Sequence, residues 1–236
     1  MTTENRVVLQ DSTSQSHDFV DHDRRHLLSA LTSIAGVSVI GASATTAQAQ
    51  SDSIPIPRRA LTGRDESGKS VFKSFDVTPQ VVRFDSRPGL TFYELYATDG
   101  MPKVTGQEPD PMLTRKGSFP APGATLFRLV MFPPKPPDGT KVDPAAYEKY
   151  LGELAQKIPG MAEHFERDTP GMHTSDSVDY GIVIRGEITL ELDDGKTVQL
   201  RQGDCVVQNG TRHRWRNALA EPAMMAFILV GGKREG

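Results

Sequence analysis

The feature that most constrains the fold is a series of short apolar runs between residues 171 and 231, separated by tight turns. These turns contain the pairs Asp194-Gly195, Gly203-Asp204 and Asn209-Gly210. Asp-Gly and Asn-Gly pairs between apolar segments favour β-hairpins, because glycine accepts the positive φ angles that such turns need. The sequence therefore predicts an all-β fold, an antiparallel meander closed into a small barrel or jelly roll.

The preceding part of the chain continues this pattern with one interruption. Runs typical of strands lie at 71–75, 80–85, 90–99 and 124–132. Between 143 and 158, a capping aspartate, a proline in the first turn and apolar residues at helical spacing predict one amphipathic helix. We expect this helix to lie outside the barrel and to pack through Tyr147, Leu151 and Leu154.

The length and composition fit one domain with a full-sized core. The chain has 236 residues, of which 37% are hydrophobic. We place the β-barrel domain at 71–231, with its most informative part at 171–230. Residues 50–70 are polar and contain prolines and glycines, so they are interpreted as a linker or an arm on the domain surface.

The N-terminal 49 residues resemble a bacterial twin-arginine export signal. Arg24 and Arg25 precede a mildly apolar run, which ends in the small-residue sequence Ala-Gln-Ala at 47–49. This resemblance predicts cleavage near Ala49 and a periplasmic or secreted mature protein with no remaining membrane segment. The alternatives are a disordered tail and an uncleaved anchor.

Charge and motifs exclude several classes of function. The formal net charge is −3 and no basic tract is present, which argues against nucleic-acid binding. The chain has no G-x-S-x-G, G-x-G-x-x-G or Walker-type sequence, so serine hydrolases, nucleotide binders and kinases are set aside. Cys205 is the only cysteine and precludes an intramolecular disulfide; its apolar surroundings predict an inert, buried side chain.

Three polar residues are candidates for a metal site. A strand directs Asp179, Gly181 and Val183 to one face, and a later strand directs His213 and Trp215 to one face. With His173 they would place two imidazoles and a carboxylate at the mouth of a barrel. This combination of donors binds divalent transition metals and leaves positions open for substrate, water or dioxygen.

The two ends of the meander resemble the two motifs of the cupin superfamily. The first motif is represented at matching spacings by His173, Ser175, Asp179 and Gly186. The second is represented, with one spacing shorter by a residue, by Gly203, Asp204, Gln208, Gly210, His213 and Asn217. The chain as a whole resembles one-domain bacterial and fungal cupins, many of unassigned chemistry.

This resemblance implies a cupin-type jelly-roll β-barrel with one helix insertion and an N-terminal arm. It also implies one divalent transition metal (Fe, Mn, Ni, Zn or Co) held by His173, Asp179 and His213. Two departures bear on that site: Ser175 replaces a fourth ligand, and Asp179 is one methylene shorter than the usual glutamate. Cupins often pair through their sheets, so a homodimer is possible.

Four more residues are assigned to a substrate pocket: Ser175, Gln208, Trp215 and Arg128. Arg128 lies in an apolar strand, where it either reaches outward to an acidic partner or points inward to hold an anionic substrate. We predict an exported metal-dependent enzyme acting on a small oxygenated molecule by elimination, isomerisation or decarboxylation. The alternatives are a non-haem iron dioxygenase, a non-catalytic small-ligand binder, and a degenerate barrel whose polar residues merely satisfy one another.

Overall fold

A six-stranded antiparallel sheet is the largest element of the fold, and a three-stranded sheet packs across it. The computed structural model describes residues 55–117, 119–135 and 142–235. The predicted export signal and its cleavage site lie outside these residues. Within them the chain forms eleven strands and one α-helix: β1 Arg58–Arg64, β2 Ser70–Val77, β3 Gln80–Arg83, β4 Thr91–Thr98, β5 Thr125–Phe132, α1 Pro144–Lys157, β6 Ser177–Arg185, β7 Glu187–Glu191, β8 Thr197–Arg201, β9 Cys205–Asn209, β10 Arg214–Arg216 and β11 Ala223–Gly231.

The strand order confirms the predicted all-β jelly roll. The large sheet runs β3-β4-β5-β11-β6-β9, the small sheet runs β10-β7-β8, and β1 and β2 form a separate hairpin. Short 3₁₀ turns lie at Pro111–Leu113, Ala162–His164 and Asp193–Gly195. Alternate residues of the large sheet face a core that also takes in the apolar side of the small sheet.

The helix begins and packs as its sequence predicts. The Asp143 side chain accepts a hydrogen bond from the Ala145 N–H, and Pro144 occupies the first turn. Tyr147, Leu151 and Leu154 are buried, and Tyr150 joins them in the core cluster. Within the described residues, no helix has the length and apolar character needed to cross a membrane.

Two expectations differ from the structure. The segment 50–70 contains β1, which pairs with β2 and was not predicted as a strand. Cys205 was predicted to be buried, but it is exposed. The reason is the alternation of β9: Gln208 is buried against the interior, and Cys205, three residues earlier, therefore faces outward.

Glu153 fixes α1 to the turn between β3 and β4. Its carboxylate accepts hydrogen bonds from the backbone N–H groups of Asp85 and Ser86, each at 2.9 Å, and pairs with Lys157 at 2.6 Å. Hydrogen bonds from Lys157 and Ser86 lower the pKa of Glu153 to about 2. The carboxylate thus joins two elements that lie 67 or more residues apart in sequence.

We expect Glu153→Gln to lower the melting temperature at about pH 7, because an amide cannot replace the charge-assisted bonds. Since the folded-state pKa is depressed, the stabilisation is complete above the unfolded value of about 4.3 and disappears as the pH falls through the folded value. The deficit should therefore shrink between about pH 5 and pH 2. The control is Glu148→Gln. Glu148 lies on the same helix, and its substitution removes an exposed ion pair with Arg167. The melting temperatures are measured by circular dichroism. An equal drop in melting temperature for both variants would contradict this account.

Candidate metal and substrate site

His173 and His213 are brought side by side by the backbone. They form an antiparallel bridge in which each N–H donates to the carbonyl of the other residue at 2.9 Å. Their ring centroids are 4.2 Å apart, with 49° between the ring planes. The bridge is closed by chain segments just before β6 and β10, so the hairpin topology itself creates the pair.

Neighbouring groups hold these two segments in place. Arg212 donates from Nε and from a terminal nitrogen to the Glu166 carboxylate, at 2.5 Å and 2.7 Å. The Gln208 amide donates to the Thr211 carbonyl at 3.2 Å and also contacts the Thr211 hydroxyl. These bonds fix the turn that carries His213, so Gln208 acts on this turn and is not one of the residues that line the cavity described below.

The hydrogen bonds of the two imidazoles define their tautomers. His173 Nδ1 lies 3.0 Å from the Gly171 carbonyl, and His213 Nδ1 lies 2.8 Å from the Thr211 carbonyl. A carbonyl only accepts, so each Nδ1 carries the proton and each Nε2 keeps its lone pair when the ring is neutral. Burial, followed by the neighbouring His213, lowers the pKa of His173 to about 3, and burial also lowers the pKa of His213. Both rings are therefore neutral near pH 7, as metal ligands must be.

Asp179 faces the same space from β6. Its Oδ2 accepts a hydrogen bond from the buried hydroxyl of Ser175 at 3.3 Å, while its Oδ1 is buried without a hydrogen-bond partner among the described residues. Burial raises the pKa of the Asp179 carboxyl. A buried carboxylate oxygen without a partner is costly and marks a position where a cation would be favourable.

The three predicted ligands are only partly assembled. No group of three or more His, Cys, Asp and Glu side chains in the described part of the chain is placed so that it could hold a metal ion. His173 and His213 are adjacent, and Asp179 lines the same cavity as this pair. Of the four pocket residues predicted from sequence, Arg128 and Trp215 line the cavity, whereas Ser175 reaches it through Asp179.

The cavity next to the histidines is small and largely aromatic. Its volume is about 80 Å³. Trp215 lies edge-on to His213, with centroids 5.8 Å apart, and also contacts Phe227. The remaining aromatic walls, which sequence reasoning did not assign to the site, are Phe92, Phe119, Phe132, Tyr150 and Phe165.

Arg128 combines parts of its two predicted alternatives, because it points inward and has an acidic partner there. It is 3% exposed, lines the cavity, and pairs with the equally buried Glu94 at 2.9 Å. The two residues lie directly opposite each other on β5 and β4. Sequence reasoning did not single out Glu94, although an isolated carboxylate in the apolar run of β4 was a usable signal for the partner of an isolated arginine in β5.

Sequence comparisons relate the chain to known proteins. The cupin domain family matches residues 164–230. Phomopsin biosynthesis cluster protein D of Diaporthe leptostromiformis is 31% identical over 78% of this chain and 83% of its own length. The cupin-domain-containing oxidoreductase fogC of Aspergillus ruber is 27% identical over 73% of this chain and 71% of its own.

Among solved structures, an RmlC-like cupin family protein from Methanocaldococcus jannaschii has a double-stranded β-helix fold. It is 15% identical over 45% of this chain and 70% of its own, with a TM-score of 0.29. The sequence relationships define the class of protein. The chain belongs to the cupin family.

Proposed function

We propose that this chain is a metal-dependent cupin enzyme that transforms a small organic molecule in the cavity beside His173 and His213. The observation that carries the proposal is the histidine pair. The centroids of two neutral imidazole rings lie 4.2 Å apart. Each ring donates from Nδ1 to a backbone carbonyl, which leaves the lone pair of Nε2 to bind a metal. Metal-binding histidines characteristically donate their second ring N–H to such a partner, which fixes the ring and raises its basicity.

Asp179 would supply the third donor. Asp179 lines the same cavity as the histidines and its Oδ1 lacks a hydrogen-bond partner, so its chemistry suits a divalent transition metal held with the two imidazoles. Because the three side chains do not yet form a cluster that could hold an ion, binding would draw Asp179 toward the histidine pair. Such a metal, when bound, would polarise a substrate oxygen or accept dioxygen while retaining open positions. The Ser175 hydroxyl would hold Asp179 through the hydrogen bond to Oδ2.

The cavity walls indicate the kind of molecule that would be bound. Aromatic side chains favour flat or apolar groups, since their faces and edges provide large contact areas at little entropic cost. Trp215 and Phe227 form the wall adjoining the histidines. They would exclude water from the reacting centre and orient the substrate against it, which strengthens electrostatic interactions there.

We infer oxidation–reduction as the class of reaction. The Aspergillus ruber relative is a cupin-domain-containing oxidoreductase, and the Diaporthe relative belongs to a biosynthesis cluster. These names favour the dioxygen-dependent alternative over elimination, isomerisation or decarboxylation. Export to the periplasm or beyond, and pairing into a homodimer, stay predictions from the sequence.

The reaction class can be tested with protein loaded with iron(II). Parent protein and the double variant His173→Ala/His213→Ala are incubated with a small-molecule extract of the native host, with and without dioxygen, and followed by mass spectrometry. We expect a compound to be consumed only by the parent and only with dioxygen. Equal consumption without dioxygen would place the chain among lyases or isomerases, and no consumption by the metal-loaded parent would contradict an enzymatic role.

A further inference from the structure

Arg87 brings a second guanidinium to the cavity. It lies in the turn between β3 and β4 and is half-buried. Its side chain lines the cavity, with the guanidinium carbon 5.4 Å from the ring centroid of Tyr150. Tyr150 is itself a cavity wall and is only 3% exposed.

Arg87 is the cavity guanidinium that has no carboxylate in direct contact among the described residues. Arg128 is paired with Glu94 at 2.9 Å, and Asp179, another acidic side chain that lines the cavity, accepts a hydrogen bond from Ser175. Among the described residues, no carboxylate oxygen lies within ion-pair distance of the Arg87 guanidinium, whose contacts are with the Tyr150 side chain. A cation at the rim of an apolar cavity attracts an anionic group, since the low local dielectric strengthens their interaction.

The turn that carries Arg87 is held rigidly. The Leu90 N–H donates to the Arg87 carbonyl at 3.2 Å. Two residues earlier, the N–H groups of Asp85 and Ser86 are bound by Glu153 of α1. The backbone of this turn therefore needs little ordering on binding, and the planar donors of a guanidinium match a carboxylate with two parallel hydrogen bonds.

We propose that Arg87 binds the carboxylate of the substrate, which would therefore be a small carboxylic acid with an aromatic or otherwise apolar body. The body would occupy the aromatic cavity, with its far end toward the histidine pair. That the acid is a substrate rests on the proposed function, whereas its binding depends only on Arg87 and the cavity walls. Arg87 is thus assigned as a residue that determines specificity.

The test uses a matched pair of probes, butanoate and its neutral amide, butanamide, whose short apolar chain suits a cavity of about 80 Å³. Trp215 is the only tryptophan of the chain and lines the cavity, so its fluorescence reports occupancy. Dissociation constants are measured by fluorescence and by calorimetry on parent protein, Arg87→Gln and Arg87→Lys. The matched control is Arg83→Gln, which removes the same charge from an exposed residue that does not line the cavity.

We expect the parent to prefer the acid over the amide, and Arg87→Gln to weaken acid binding by roughly 10- to 100-fold with little change for the amide. Arg87→Lys should retain part of the preference, and Arg83→Gln should retain all of it. Equal binding of acid and amide by the parent, an undiminished preference in Arg87→Gln, or no binding of either probe would overturn the inference.

Metal uptake, measured on the protein offered Fe, Mn, Ni and Zn in turn, separates the two proposals. An acid preference that depends on Arg87 in a protein that holds no metal would support this inference while contradicting the proposed function. Metal retention without any acid preference would support the proposed function and contradict this inference.

Discussion

Replacing His213 with alanine is expected to lower the metal affinity of the protein by more than about 100-fold. Groups that merely orient a metal ligand contribute roughly 10- to 100-fold, and the imidazole proposed as a ligand contributes more than its supports. The barrel should stay folded, because its core is apolar and does not depend on the site. Metal content by mass spectrometry and the far-ultraviolet circular dichroism spectrum check the two statements separately.

Two further variants make this result specific. His164→Ala removes a half-buried imidazole whose Nδ1 bonds to the Thr174 carbonyl at 2.8 Å and which is not a cavity wall. It should leave metal content unchanged. Asp179→Asn should weaken binding less than His213→Ala, because an amide oxygen still coordinates but carries no charge. If His164→Ala and His213→Ala lost metal equally, the assignment of the site would be wrong.

Arg128→Met is expected to destabilise the fold by about 3–5 kcal/mol, the usual cost of leaving one partner of a buried ion pair. Glu94 would remain 4% exposed and opposite an apolar residue. Chemical denaturation of the parent and the variant measures the difference. The double variant Glu94→Met/Arg128→Met should recover most of the loss, since replacing both charges by packed apolar groups is often neutral.

The loss of stability in Arg128→Met should depend on pH in one direction. Burial raises the pKa of Glu94, while Arg128 lowers it, so removing Arg128 should raise this pKa further. A folded-state pKa above the unfolded value of about 4.3 means that the protonated form is tolerated and that stability is lost as the pH rises. The deficit of Arg128→Met should therefore grow from about pH 4 to pH 8. A deficit that did not change with pH would show that packing, not charge, dominates the loss.

The meander was predictable because its signals are local. The three turns between β7 and β10 each carry glycine, two of them with aspartate, and the intervening runs are too short for helices. The helix was also predictable, since Asp143 and Pro144 mark its beginning in the sequence. His173 and His213 were singled out differently, through the spacing of the two cupin motifs to which they belong.

What sequence reasoning missed depends on long-range pairing. β1 is polar and alternates weakly, and it becomes a strand through its pairing with β2. The run around Cys205 has apolar residues on both faces, so the sequence alone does not tell which face points inward. The pairing of β9 with β6 decides this. The Arg128–Glu94 pair required the register of β4 on β5, and the aromatic cavity walls come from elements dispersed over more than a hundred residues.

The central claim is that His173 and His213 together bind one metal ion through their free Nε2 atoms. The most direct measurement counts coordinated imidazoles, by pulsed electron paramagnetic resonance on protein loaded with one equivalent of copper(II). The account predicts modulation from two imidazoles in the parent, from one in either single alanine variant, and from two in His164→Ala. A parent spectrum with no imidazole modulation, or one unchanged by loss of both His173 and His213, would contradict it.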